Sequence, residues 1–194
     1  MVAIVDYNAG NTRSLQFALD RLGVNSSLTS NIEEIQSAEK IIFPGQGAAL
    51  NAMQNLKKTG LDKIIPNLKQ PVLGICLGMQ LLCRSTEEGN IDCLDIISTD
   101  VKKISNKVKV PHMGWNNISN LKSQLFNNVI DNEFMYLVHS FYVPIIPETI
   151  AESNYNGFFS VAIQKNNFYG VQFHPESIAT EHGHKIIKNF INCV

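Results

Sequence analysis

Cys76 sits at the centre of Gly74-Ile75-Cys76-Leu77-Gly78, two residues from a glycine on either side. This is the spacing of a nucleophile elbow, G-x-S-x-G, with cysteine in place of serine. Such a turn forces the nucleophile into a strained backbone position, and flanking glycines remove the clashes that larger residues would make. A helix starting directly after the turn aims its N-terminus at the sulphur and favours thiolate over thiol. The amide of Leu77, the residue after the nucleophile, is placed to bind an oxyanion. The plain alternative is an inert cysteine buried at a strand–helix junction.

A nucleophilic cysteine needs a base. The segment GVQFHPES offers His174, after an apolar strand and before Pro175, which holds it extended. Glu176 follows two residues later. In an extended segment the two side chains project to one side, so Glu176 can orient the imidazole. A lone histidine is ordinarily a core or surface residue, and His182 and His184 read that way, as solvent residues at a helix start. His174 differs because it ends a strand in a chain that already carries a nucleophile. The third piece is FPGQG, where Gly45 and Gly47 flank Gln46. Its amides could approach a developing oxyanion closely, although by itself the loop reads as a tight turn.

These residues need a scaffold. VAIVDY (2–7), SSLTS (26–30), KIIFPG (40–45) and PVLGI (71–75) read as strands, the apolar ones too short for helices and suited to burial on both faces. Helices are predicted from Asn11 or Thr12 to about Leu22, over NIEEIQSA, over AALNAMQNLKKTG ending at Gly60, over LDKIIPNLKQ, and from Leu77 to about Arg84. This alternation predicts an α/β fold with a mostly parallel central sheet and helices on both faces. In such sheets sites gather at the carboxyl edge, where DYNAGN, PGQG and GICLG all fall. The second half is strand-rich: STDVKKI, NKVKVPHMGWNNI, a long EFMYLVHSFYV, TIAESNY, FFSVAIQK and FYGVQFHPE. An amphipathic helix then closes the chain with Ile186, Ile187, Phe190 and Ile191 inward. No linker separates the halves, so residues 1–194 are expected to form one domain.

Composition fits this reading. The chain has 194 residues, 44% apolar and 17% charged, with a net charge of −1. Lysine and arginine are scattered, which argues against nucleic acid or a membrane surface as partner. Neither a signal peptide nor a membrane span is expected, since MVAIVDYNAG lacks a basic n-region and no apolar run of about 18 residues occurs. The four cysteines form no CxxC pair and no zinc pattern, so free thiols and a cytoplasmic location are expected.

GICLGMQ, HPE, PGQGAALNAM and VPHMGWN, in this chain, resemble the class I glutamine amidotransferases. With VDYNAGNTRSL and LVHSFYV, they are most similar to the family of glutaminase subunits of imidazole glycerol phosphate synthase, in histidine biosynthesis. The resemblance spans essentially the whole chain. It implies that Cys76 is the nucleophile, His174 the base and Glu176 its orienter. It further implies that Gln80, His139, Ser140 and Phe141 hold glutamine, and that Gly45, Gln46, Gly47 and Leu77 surround the thioester and oxyanion. Asn8, Asn11, Arg13, Met113, Trp115 and Asn116 match segments that face a synthase subunit. That implied partner is a (β/α)₈ cyclase which receives ammonia and forms a heterodimer. It converts phosphoribulosyl-formimino-aminoimidazole carboxamide ribotide to imidazole glycerol phosphate and aminoimidazole carboxamide ribotide. No metal or organic cofactor is implied. Two positions depart from the family pattern: Gln46 stands where valine is usual, and Ser177 where a basic residue is common. Three other readings stay open: a paralogue feeding a sugar-modifying synthase, a stand-alone thiol hydrolase, and a non-catalytic scaffold. The last would leave Cys76, His174 and Glu176 without a task, and Trp115 on residue type alone could be a core aromatic.

Overall fold

The alternating pattern of the first half becomes strands separated by helices. The structure is a computed structural model describing residues 1–194. Its elements are β1 (Val2–Val5), α1 (Thr12–Arg21), β2 (Ser26–Thr29), α2 (Ile32–Ser37), β3 (Lys40–Phe43), α3 (Ala49–Thr59), α4 (Leu61–Ile64), β4 (Val72–Ile75) and α5 (Leu77–Leu81). There follow β5 (Cys83–Thr86), β6 (Ile91–Asp92), β7 (Ile97–Lys103), β8 (His112–Asn117), β9 (Phe134–His139), β10 (Phe141–Tyr142), β11 (Thr149–Asn154), β12 (Phe158–Lys165), β13 (Phe168–Val171) and α6 (Gly183–Asn192). Single 3₁₀ turns lie at Ile65–Asn67 and Gln124–Phe126. No helix is long and apolar enough to cross a membrane.

Local chemistry sets several of these boundaries. Asn11 starts α1 by accepting the Ser14 amide, and Asn31 starts α2 by accepting those of Glu33 and Glu34. Gly60, at a φ of 77°, ends α3.

The central sheet has seven strands in the order β11-β12-β13-β4-β3-β1-β2. Every pairing from β13 to β2 is parallel, and the two pairings involving β12 are antiparallel. Side chains alternate between two cores. Ala3, Val5, Ile41, Phe43 and Val72 face α2, α3 and α4, while Ile4, Ile42, Leu73 and Ile75 face α1 and α6. Burial on both faces explains why these strands are almost wholly apolar. A four-stranded sheet, β10-β7-β5-β6, and a two-stranded ribbon, β8–β9, complete the second half.

Three elements differ from the sequence expectation. The helix after Cys76 stops at Leu81 rather than near Arg84. From there the carbonyls of Leu81, Leu82 and Cys83 accept amides of Leu94, Ile96, Ile97 and Asp95, so tertiary partners draw 83–86 into β5. The long strand over 133–143 breaks at Ser140: β9 pairs with β8, whereas β10 pairs with β7 in another sheet. In NKVKVPHMGWNNI only His112–Asn117 is a strand, because the strand can begin only after Pro111, which lacks an amide hydrogen.

Candidate active site

β1, β3, β4 and β13 run parallel, so their carboxyl ends share one edge of the sheet. Cys76 follows β4 on that edge, with a φ of 53° and a ψ of −110°. A non-glycine residue rarely occupies this region, and such strain persists only where the surroundings enforce it. Here they do. The Cys76 amide donates to the Val171 carbonyl at 2.8 Å, and the Cys76 carbonyl accepts from Gln80 at 3.2 Å. The glycines of the motif act differently from the expectation. A Cβ on Gly78 would run into the Phe43 carbonyl, and one on Gly74 into the backbone of Gly78 and Met79. Glycine is needed so that α5 can lie tight against β3 and β4, more than to make room for the cysteine itself. With only five residues, α5 brings a short first turn to the sulphur rather than a long helix dipole.

His174 lies three residues beyond β13 on the same edge. Its Nδ1 meets Glu176 Oε1 at 2.8 Å, and both side chains are buried. The segment is a turn, closed by the Ser177 amide on the His174 carbonyl, and not the extended run expected before and after Pro175. The contact forms all the same. His174 Nε2 is buried without a hydrogen-bond partner, free to exchange a proton with a reacting group. Burial alone would lower the affinity of this imidazole for a proton. The nearby Cys76 sulphur and the Glu176 carboxylate outweigh it and raise the pKa well above the usual histidine range. The imidazolium form of His174 is therefore favoured beside the Cys76 sulphur.

A cleft of about 270 Å³ opens at Cys76. Gln46, Gly47, Leu77, Gln80, His139, Ser140, Phe141 and His174, each expected from sequence, line it. Gly45 lies buried beneath, where a Cβ would overlap the backbone of Gly78. Gly47 has a φ of 103°, a conformation that suits glycine and leaves its peptide free to turn. Two residues of the site were not expected from the sequence: Gln172, buried beside Cys76, and Glu88, which lines the cleft. Gln172 Nε2 reaches Cys76 Sγ at 3.6 Å, brought there because β13 is aligned with β4. Glu88 places a carboxylate in the cleft, and its Oε2 also accepts the first amide of α3, from Ala49. The one signal for Gln172 is its place two residues before His174; nothing local marks Glu88 among the acidic residues. No group of three His, Cys, Asp or Glu is placed to hold a metal ion.

A second cleft meets the first at Gln46, Val138 and His174, and Asn11, Phe17, Glu176, Ser177 and Ile178 line it. Met113 and Trp115 stand on the adjoining ribbon, 62% and 61% exposed, and Ile178 is 94% exposed. Trp115 is thus no core aromatic. Its Nε1 donates to the Ala179 carbonyl, which pins the ring beside the cleft. Asn8 is exposed, and Arg13 lies over the Phe17 ring. Asn116 alternates to the other side of β8, where its amide donates to the Asn154 carbonyl. The structure therefore does not bring Asn116 to the face that Met113 and Trp115 share.

Comparison with known proteins agrees with this architecture. The family described as "Glutamine amidotransferase class-I" matches residues 3–193. Solved structures with this fold include PurLQS from Thermotoga maritima, at a TM-score of 0.74 and 19% identity, covering 98% of this chain and 97% of that one. A putative GMP synthase protein from Thermoplasma acidophilum superposes at a TM-score of 0.72, with 22% identity over 98% and 91% of the two chains. The chain belongs to the class I glutamine amidotransferase family. Within it, the chain is similar over nearly its full length to proteins named imidazole glycerol phosphate synthase subunit HisH. That from Bacteroides fragilis (strain YCH46) is 55% identical over 98% of both chains, and that from Pasteurella multocida 45% identical over 98% of this chain and 96% of that one.

Proposed function

We propose that this chain is the glutaminase subunit of imidazole glycerol phosphate synthase, acting as one amidotransferase domain in the reducing cytoplasm. The Cys76 thiolate attacks the side-chain carbonyl of glutamine, and the oxyanion takes amides from Leu77 and the Gly45–Gly47 loop. His174 gives its proton to the departing nitrogen, and ammonia leaves a γ-glutamyl thioester on Cys76. His174 then takes a proton from water, which attacks the thioester and releases glutamate. Glu176 keeps the imidazole oriented throughout. Glu88 offers the negative charge that the α-ammonium of glutamine requires, and Gln80 braces the Phe141 carbonyl at the cleft wall.

The observation that carries this reading is the position of His174 between two clefts, one with Cys76 and Glu88, the other opening onto exposed apolar residues. Ammonia must stay unprotonated and apart from bulk water to react as a nucleophile. A site whose proton donor borders a second, partner-ready cleft suits ammonia that passes to a bound (β/α)₈ cyclase. A stand-alone thiol hydrolase has no use for that face. The test is steady-state glutaminase activity of the chain alone and with a cyclase subunit plus its ribotide. A slow chain and a complex faster by about 10² or more fit the proposal, since one poorly aimed oxyanion donor costs that much. Equal rates would favour the stand-alone hydrolase.

A further inference from the structure

The β8–β9 ribbon has two faces. Met113 and Trp115 share the outer one with Val138 and Tyr136, their cross-strand partners. His112 and His139 form the next pair in the ribbon, and both are buried. Their protons can be assigned. The Phe141 carbonyl can only accept, so His139 Nδ1, 2.8 Å away, carries a hydrogen. Burial keeps this ring neutral, with its pKa pushed down to about 4. Its Nε2 is then a bare acceptor, and His112 Nδ1, at 2.9 Å, must donate to it. Tyr155 holds the His112 ring in place, stacked at 3.9 Å between centroids.

The chain of bonds continues to the nucleophile. Gln80 Nε2 also donates to the Phe141 carbonyl, at 3.0 Å, and to Gln172 Oε1, at 2.8 Å. Gln172 in turn points its Nε2 at Cys76 Sγ. The two arms meet at the Phe141 carbonyl, which accepts from both His139 and Gln80, and none of these side chains can flip alone without leaving a buried polar atom unpaired. Such a loss is expensive in a dry interior.

We propose that His112 is a positioning residue: with His139 it forms a tautomer-locked relay that ties the strand carrying Met113 and Trp115 to the glutamine-binding wall at Phe141 and, through Gln80 and Gln172, to the Cys76 sulphur. A partner seated on the outer face of β8 thereby acts on the nucleophile through the inner face of the same strand. This coupling rests on the partner-facing reading given above, whereas the relay itself is a property of the isolated chain.

Three measurements test it. Nitrogen-15 imidazole spectra of the isolated chain at neutral pH should show both His112 and His139 as Nδ1–H tautomers; an Nε2–H tautomer on either ring overturns the relay. His112→Phe keeps a ring for Tyr155 to stack on but removes the donor, while His112→Asn keeps an N–H near the same place and gives up the stack. The phenylalanine variant should lose roughly five- to tenfold of the glutaminase activation produced by cyclase and ribotide, the worth of one buried hydrogen bond. The asparagine variant should keep most of it. Ammonia-dependent cyclase turnover should be unchanged in both, which checks assembly. The reverse order, with phenylalanine near wild type and asparagine impaired, assigns His112 to packing alone and overturns the proposal. Finally, iodoacetamide alkylation of Cys76 in the isolated chain, followed by peptide mapping, should slow severalfold in His112→Phe. An unchanged rate also overturns the relay. Should the wild-type complex hydrolyse no glutamine at all, the function falls, and the tautomers and alkylation rates still decide the relay.

Discussion

The nucleophile and its base are held by opposite means. Cys76 is fixed mainly by its own segment: a strand before it, a helix after it, an uncommon backbone conformation, and unbroken burial from Val72 to Cys83, with one bond from its amide to the Val171 carbonyl. His174 is fixed from a distance. It lies in a turn whose amide donates to the Tyr136 carbonyl of β9 and whose carbonyl accepts the Thr180 hydroxyl. The first half of the chain thus supplies a rigid nucleophile, and the second half supplies a base and a substrate wall tied to the ribbon that faces outward. A partner can alter the second set without unfolding the first. Activation by docking is therefore expected to work through the base, the wall and the glycine loop, and not through movement of the elbow.

Removing the rigid element gives the largest effect. Cys76→Ala should lower glutamine hydrolysis by about 10⁴-fold or more, because no thioester can form. The complex should still use added ammonium salt at raised pH. Glutamine-dependent turnover near wild type would place the nucleophile elsewhere, and Cys83, Cys93 and Cys193 should tolerate serine or alanine with catalysis kept.

The distantly held element should show a graded response. His174→Ala should cost on the order of 10³-fold, within the range for loss of a general acid–base. Glu176→Gln should cost roughly 10- to 100-fold, since an amide can still hold the ring but cannot stabilise the imidazolium. Single-turnover glutamine hydrolysis in the complex would separate the two, and equal effects would deny Glu176 a merely orienting role.

The same contrast decided what the sequence disclosed. The elbow, the PGQG loop and the His-Pro-Glu run are contiguous, and each announces itself by residue types at fixed short spacing. The parallel strands were legible because burial on both faces leaves nearly unbroken apolar runs such as Ala3–Val5 and Ile41–Phe43. Gln172 was not legible, because its role comes from the alignment of β13 with β4, ninety-odd residues apart in the chain. Glu88 was missed for a related reason: it reaches the cleft only because the chain leaves α5 after Leu81 and enters β5, against a helical pattern. The pairing of His112 with His139 likewise follows from ribbon register, which no local pattern records.

Tightening the elbow offers a stability test. Gly78→Ala should destabilise the fold by about 2–3 kcal/mol, because the new methyl meets the immobile Phe43 carbonyl and either α5 or β3 must shift. Urea denaturation would measure it. A cost below about 0.5 kcal/mol would mean that the junction yields, and the claim of a rigid elbow would fail with it.

The smallest effect concerns pH, and the two histidines of the distantly held half should act with opposite signs. Burial depresses His139 to about 4 in the folded chain, below its ordinary value of 6.5. The unfolded chain then takes up a proton that the folded one refuses, so stability is full above about 6.5 and falls as pH drops toward 4. One proton corresponds to about 1.4 kcal/mol per pH unit, or roughly 2 kcal/mol lost between pH 6.5 and 5. His174 is raised instead, so the folded chain keeps a proton that the unfolded chain gives up. Its contribution is complete below about 6.5 and disappears as pH rises through the folded value. Stability measured by urea midpoints should therefore peak near neutrality and decline on both sides. His139→Asn should flatten the acid limb, since asparagine keeps the donor to Phe141 without a titrating ring, and His174→Asn should flatten the alkaline limb. An acid limb that survives His139→Asn unchanged would show that this ring titrates freely and that the wall it supports is open to water.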